Sequence, residues 1–181
     1  MKRLNNADVE IQDRELVITR VFDAPKELVF KVWTEPEHVK NWWGPNGITN
    51  PVCEIDLRPG GSYFYLMVSS KGHEYPATGK FIEIVKNERL VYTEDMFAHQ
   101  EKWKTHIGKL VGPDVDFSTL QLINTVIFED HGNQTKLTIT ARFESNELRD
   151  VLVKSGMAVG ATESLEKFAE ELKVTLDQVI K

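Results

Sequence analysis

Between about residues 52 and 143 the chain keeps a strand-like period, and on either side of that stretch the apolar spacing turns helical. Such a switch admits few architectures: consecutive strands must form one antiparallel sheet, with the helices gathered against a face of it. An earlier strand is expected at Glu15 to Phe22, a run rich in β-branched and aromatic residues. Within the middle stretch, strands are expected at Ser62 to Val68, Tyr75 to Val85, Arg89 to Asp95, Thr119 to Glu129 and Gln134 to Glu144. Gly60-Gly61, Lys86-Asn87-Glu88 and Asp130-His131-Gly132-Asn133 supply turns. The C-terminal third returns to helical spacing: Leu148, Val151 and Leu152, then Leu165, Phe168, Ala169 and Leu172, with Gly156 and Gly160 between them. One long helix, kinked or thinned at those glycines, would press this stripe on the sheet. The class is α+β with one curved sheet and no internal repeat or linker.

Between the first strand and the middle stretch lies an aromatic corner. Three of the four tryptophans, Trp33, Trp42 and Trp43, fall within eleven positions. Asp23-Ala24-Pro25-Lys26-Glu27 starts a short helix that carries Leu28, Val29, Val32 and Trp33. Thr34-Glu35-Pro36-Glu37 fits a capping box for a second helix carrying Val39, Trp42 and Trp43, which Gly44-Pro45 ends. A Trp ring buries on the order of 200 Å² and its N–H needs a partner, so the cluster is either a core plug or the wall of an aromatic-lined pocket. Tyr63, Tyr65, Met67, Phe81 and Tyr92 present the same choice, since alternation puts them on one face of their strands. Glu94 shares a face with Leu90 and Tyr92. It is either a strand-end acid reaching solvent or a buried carboxylate, and burial would raise its pKa and fit it to orient a ligand or move a proton.

Several classes are excluded. A length of 181 residues makes one domain with a sizeable core. The net charge of −6, with lysines and arginines interleaved among acids, disfavours nucleic acid as a partner. No run approaches the ~20 apolar residues of a membrane span. The single cysteine, Cys53, rules out an internal disulfide and is expected as a small core residue, and the N-terminus has no apolar stretch after its basic residues, so a cytoplasmic protein is expected. There is no phosphate-binding glycine loop, no nucleophile elbow and no zinc-binding spacing. The five histidines stand at no ligand-like separation, so no metal or other cofactor is expected. Phe97 to Ser118, with Trp103, His99 and His106, is the least regular stretch, and a loop of that length is usually functional.

The strings Thr19-Arg20-Val21-Phe22-Asp23-Ala24-Pro25, Val29 to Val39 with Trp42-Trp43-Gly44-Pro45, and Asp56-Leu57-Arg58-Pro59-Gly60-Gly61-Ser62-Tyr63 resemble the family of the activator of heat-shock protein 90 ATPase, C-terminal-like. That family sits within the SRPBCC (START/polyketide-cyclase-like) superfamily. Gly79 to Ile84, Glu88 to Glu94 and Gly156 to Ala169 are similar to its later blocks, in the same order, so the likeness spans about Arg14 to Leu172. It implies a helix-grip domain over residues 14–173, with an N-terminal extension at 1–13 and a tail, or the end of the last helix, at 174–181. In that fold a curved antiparallel sheet wraps a long C-terminal helix, the two short helices close one end, and a mostly apolar cavity lies between helix and sheet. By resemblance, Trp33, Trp42, Trp43, Tyr63, Tyr65, Met67, Phe81, Tyr92, Glu94, Met157 and Gly160 would face or rim that cavity. The expected partner is a small hydrophobic or aromatic molecule, held by a binder rather than an enzyme.

Two rivals stand beside this expectation. One is a chaperone cofactor acting on the 90-kDa heat-shock protein; eukaryotic activators pair this module with a separate N-terminal domain, for which 181 residues leave no room. The other is a cyclase or hydrolase in which Glu94 works with His73 or His106. Phe64 and Leu66 follow the Gly-Gly turn where the family often shows polar or basic residues, which implies a homodimer contact or a covering segment.

Overall fold

The computed structural model describes residues 1–95 and 121–179. The strands form one nine-stranded antiparallel sheet in the order β1-β2-β3-β9-β8-β7-β6-β5-β4. Two strands precede the first expected one: β1 (Lys2–Leu4) and β2 (Ala7–Gln12) are joined by Asn5 and Asn6, whose φ values of 44° and 60° suit a two-residue hairpin turn. Residues ahead of position 14 therefore extend the same sheet. Then come β3 (Glu15–Phe22), the helices α1 (Lys26–Thr34) and α2 (Pro36–Trp42), and six further strands. These are β4 (Ile48–Ile55), β5 (Ser62–Ser69), β6 (Glu74–Val85), β7 (Arg89–Glu94), β8 (Leu122–His131) and β9 (Gln134–Arg142). The irregular stretch from Phe97, with Trp103, His99 and His106, lies outside the described residues.

Alternation sets the inner face as expected. Leu16 and Ile18 of β3, Leu90 and Tyr92 of β7, and Leu122, Val126 and Phe128 of β8 are buried there, beside Leu137 and Ala141 of β9. Register aligns Ile18 with Ile139 and Tyr92 with Asn124. Bulges between Thr49 and Val52 and between Phe81 and Glu83 interrupt the ladders of β4 and β6, a local change of the kind that bends a strand.

The C-terminal region differs from one kinked helix. It is two helices, α3 (Asn146–Lys154) and α4 (Met157–Val179), separated at Ser155 and Gly156. Gly156 has φ of 98°, the left-handed conformation that ends a helix and that glycine adopts without steric cost. Ser145 caps α3 by accepting from the Leu148 amide. Helix α4 lays Ala158, Leu165, Phe168 and Leu172 on the core. It is tied at its polar edge by Arg20 to Glu166 at 3.0 Å and His38 to Glu171 at 2.8 Å.

The capping box does not form. Thr34 is the last residue of α1, and its hydroxyl donates to the Phe30 carbonyl one turn back. Glu35 occupies the N-cap of α2 without a side-chain bond, and Pro36 at the first helical position supplies the stop and start instead. Cys53 is half-buried, and burial pushes its thiol up to about 11, which makes it a packing residue rather than a nucleophile.

Candidate functional site

The aromatic corner proves to be plug and wall at once. Trp42 is 1% exposed. Its indole N–H donates to the Val32 carbonyl at 3.0 Å, satisfying one of the acceptors that the end of α1 leaves open. Its ring lies 4.7 Å from that of Trp33 and 4.9 Å from that of Phe168, between centroids, which locks α1, α2 and α4 together. Trp43, half-buried at the end of α2, continues the row at 5.4 Å from Trp42 and meets Tyr65 at 4.8 Å.

In front of this row, between helix and sheet, is a cavity of about 270 Å³. Trp33, Trp42, Trp43, Gly44 and Pro45 wall one side. Leu16 and Ile18 of β3 with Ile139 and Ala141 of β9 form the sheet side, joined by Met67, Tyr92 and Glu94. The helical side comes from Leu152 of α3, the Ser155-Gly156 break, and Met157, Gly160, Ala161, Ser164 and Leu165 of α4. The break therefore contributes to the wall. Gly160 faces the corner: a Cβ built on it would stand in ordinary contact with Pro45 at 3.7 Å.

Eight of the eleven residues expected at the cavity line it: Trp33, Trp42, Trp43, Met67, Tyr92, Glu94, Met157 and Gly160. Tyr63, Tyr65 and Phe81 do not, which corrects their placement. They pack as a layer beyond Tyr92 and Trp43, with the Tyr63 and Tyr65 rings 4.8 Å apart and Tyr63 meeting Tyr92 edge-on at 5.7 Å. The Tyr63 hydroxyl is spent on the Thr93 carbonyl at 2.8 Å. The space left among these rings is about 10 Å³, too small for an organic ligand. Alternation places a residue on a face but not along it, and β5 and β6 lie toward the far side of the sheet from β3.

Glu94 is the one carboxylate among the described residues that line the cavity, beside the polar Asn124, Ser155 and Ser164. It is half-buried at the end of β7 and lines the space. Its carboxylate accepts from the Asn124 amide at 2.8 Å. Burial pushes its pKa above the ordinary carboxylate value; the Asn124 bond opposes the rise and neighbouring Asp95 adds to it. Burial likewise raises the Tyr92 phenol, with Glu94 contributing. Asn124 was missed by sequence reading. Its signal was an amide at an inward position of β8, between Leu122 and Val126, where the strand otherwise shows only apolar residues.

A general acid–base pair does not assemble among the described residues. His73 is exposed in the turn between β5 and β6, and His38 is committed to Glu171. Glu35, Glu37 and His38 do present ligand atoms within 4.8 Å of one another, but the glutamates are open to solvent and the trio lies away from the cavity. No described helix is long and apolar enough to cross a membrane.

Comparison with known proteins places these features in a lineage. Residues 23–173 match the family model described as activator of Hsp90 ATPase homolog 1-like protein. Among solved structures, a protein of Nitrosomonas europaea is 23% identical, with 93% of this chain and 99% of that one aligned at a TM-score of 0.75. One from Arthrobacter aurescens is 25% identical over 92% of this chain and 91% of its own, at a TM-score of 0.77. A Silicibacter pomeroyi protein bearing the same family name is 24% identical over 89% and 99%, at a TM-score of 0.64. These likenesses show the helix-grip fold. No curated protein matches the chain.

Proposed function

We propose, from the premise that this chain belongs to the activator of Hsp90 ATPase homolog 1-like family, that it binds a small, largely apolar molecule between its sheet and its last helix. The observation that carries this reading is the cavity itself: about 270 Å³, walled by aromatic and aliphatic side chains, with a single carboxylate–amide pair set into it. That combination of apolar walls and few convergent polar groups is what ligand pockets share. Packing explains the space less well. A protein interior normally closes voids larger than a water molecule, and here three tryptophans that could fill the gap are held back by their contacts with one another and with Phe168 and Tyr65.

The test is to fill the space from within. Ala161 lines the cavity from α4. In the unaltered chain, titration with a neutral aromatic probe such as phenylnaphthylamine should quench tryptophan emission saturably, and Ala161→Phe should abolish that quenching while the protein keeps its far-ultraviolet circular dichroism. Absence of saturable binding by the unaltered chain, with nothing retained in mass spectrometry after gentle purification, would defeat the reading. The family description also names the Hsp90 ATPase. Stimulation of a purified chaperone's ATPase by this chain would support an interaction role beside ligand binding.

A further inference from the structure

Resting on the reading that the cavity holds a small molecule, we propose that the polar end of that molecule is a cationic nitrogen. An aryl-alkylammonium ion would donate to Glu94 while its ring body lies among Trp33, Trp42, Trp43 and Met67. Three observations converge on this class.

The first is a census of charge. Among the described residues lining the cavity there is no lysine, arginine or histidine, and Glu94 is the single carboxylate. Lys167 turns its ammonium to the carbonyls of Gly44, a wall residue, and of Ile48 at 3.0 and 3.2 Å, and does not itself line the space. An anionic ligand would meet a like charge with no cationic side chain among the described wall residues to offset it. A cation would meet the one group that complements it.

The second is unused hydrogen-bonding capacity. A carboxylate has about four acceptor positions, and Asn124 fills one of them, on Oε2. Among the described residues no other side chain bonds to Glu94. A purely hydrocarbon ligand would displace water from the remaining positions and replace it with nothing, the costly way to bury a polar group. An ammonium N–H restores the bond in its stronger, charge-assisted form. Burial holds the Glu94 carboxyl above its ordinary pKa, and a cation placed against it would reverse that tendency.

The third is the walls. Trp33, Trp42, Trp43 and Tyr92 share the cavity with Glu94. Aromatic rings attract both aromatic bodies and organic cations, and an acid among such rings serves a ligand that has both. Size sets the scale. A dry cavity of about 150 Å³ accepts benzene, so about 270 Å³ suits a body of one or two rings with a short aminoalkyl arm.

The experiment compares four ligands of one ring body by calorimetry at neutral pH: naphthylmethylamine, naphthylmethanol, methylnaphthalene and naphthoate. The amine should bind about tenfold or more tightly than the alcohol and the hydrocarbon, with naphthoate weakest. Glu94→Gln should remove that preference, bringing the amine's affinity down to that of the alcohol and the hydrocarbon. If the alcohol, the hydrocarbon or the acid binds as tightly as the amine, the cation is overturned and the apolar-cavity reading survives. If none of the four binds, both fall together. The ranking on the unaltered chain decides the matter even where Glu94→Gln fails to fold.

Discussion

Glu94 links the cavity to the stability of the whole chain. Burial raises its pKa above the ordinary value of 4.5, so across the interval between the two values the folded chain holds a proton that the unfolded chain has released. Its contribution is complete below the ordinary value and is lost as pH rises through the folded one. Glu94→Gln, which stays neutral, lacks this dependence. The urea midpoint of the unaltered protein is therefore expected to fall relative to the variant as pH climbs from about 4.5 toward neutrality, a trend read directly from paired denaturation curves. The tryptophans divide along a similar line. Trp42→Ala removes a buried ring and orphans the Val32 carbonyl, and should cost about 3–5 kcal/mol in chemical denaturation. Half-buried Trp43 should cost less when truncated yet weaken probe binding, a separation that denaturation and fluorescence titration measure together. The sequence made Glu94 legible through alternation, because it follows Leu90 and Tyr92 on one face. Its partner Asn124 lies thirty positions away on a strand whose register no local pattern could fix.

At the scale of elements, two glycines that look alike in the sequence do opposite work. Gly156 ends the α3 turn at φ of 98° with no atom within 4 Å of where a Cβ would stand, so Gly156→Ala meets backbone strain alone. About 1–2 kcal/mol of destabilisation is expected. Gly160 lies within α4, and its added Cβ would make an ordinary contact with Pro45 at 3.7 Å. Gly160→Ala should therefore be neutral or stabilising by up to about 1 kcal/mol, from helix propensity. A loss of stability in Gly156→Ala without one in Gly160→Ala, read in parallel thermal melts, would confirm the division; a loss in both would contradict it. The helical stripe was readable from Leu148 to Leu172, but the break was not, because apolar spacing continues across it. What decides it is the glycine's sign of φ, which spacing does not carry. The capping box failed for a related reason: Pro36 already sets the start of α2, and the Thr34 hydroxyl finds a nearer acceptor in Phe30.

For the molecule as a whole, strand alternation and the ordered family blocks made the sheet-and-helix plan legible from about Arg14 onward, while the β1–β2 hairpin escaped notice because Lys2-Arg3-Leu4 is short and polar. The order of the strands also bears on time. Along the described chain, β4 to β7 and then β8 to β9 pair as neighbours, but β3 pairs with β9 across separations of up to 127 residues. Closing so long a loop delays the contacts that repay it. Refolding should accordingly pass through a stage in which the β8–β9 hairpin is formed and β3 is not yet docked. In pulse-labelled hydrogen exchange, the β3 amides bonded to β9 should gain protection after those between β8 and β9, and simultaneous protection would refute this order. Because Leu16 and Ile18 form part of the cavity wall, the pocket would be the last thing this chain completes, and a nascent chain could capture no guest until β3 and β9 had met.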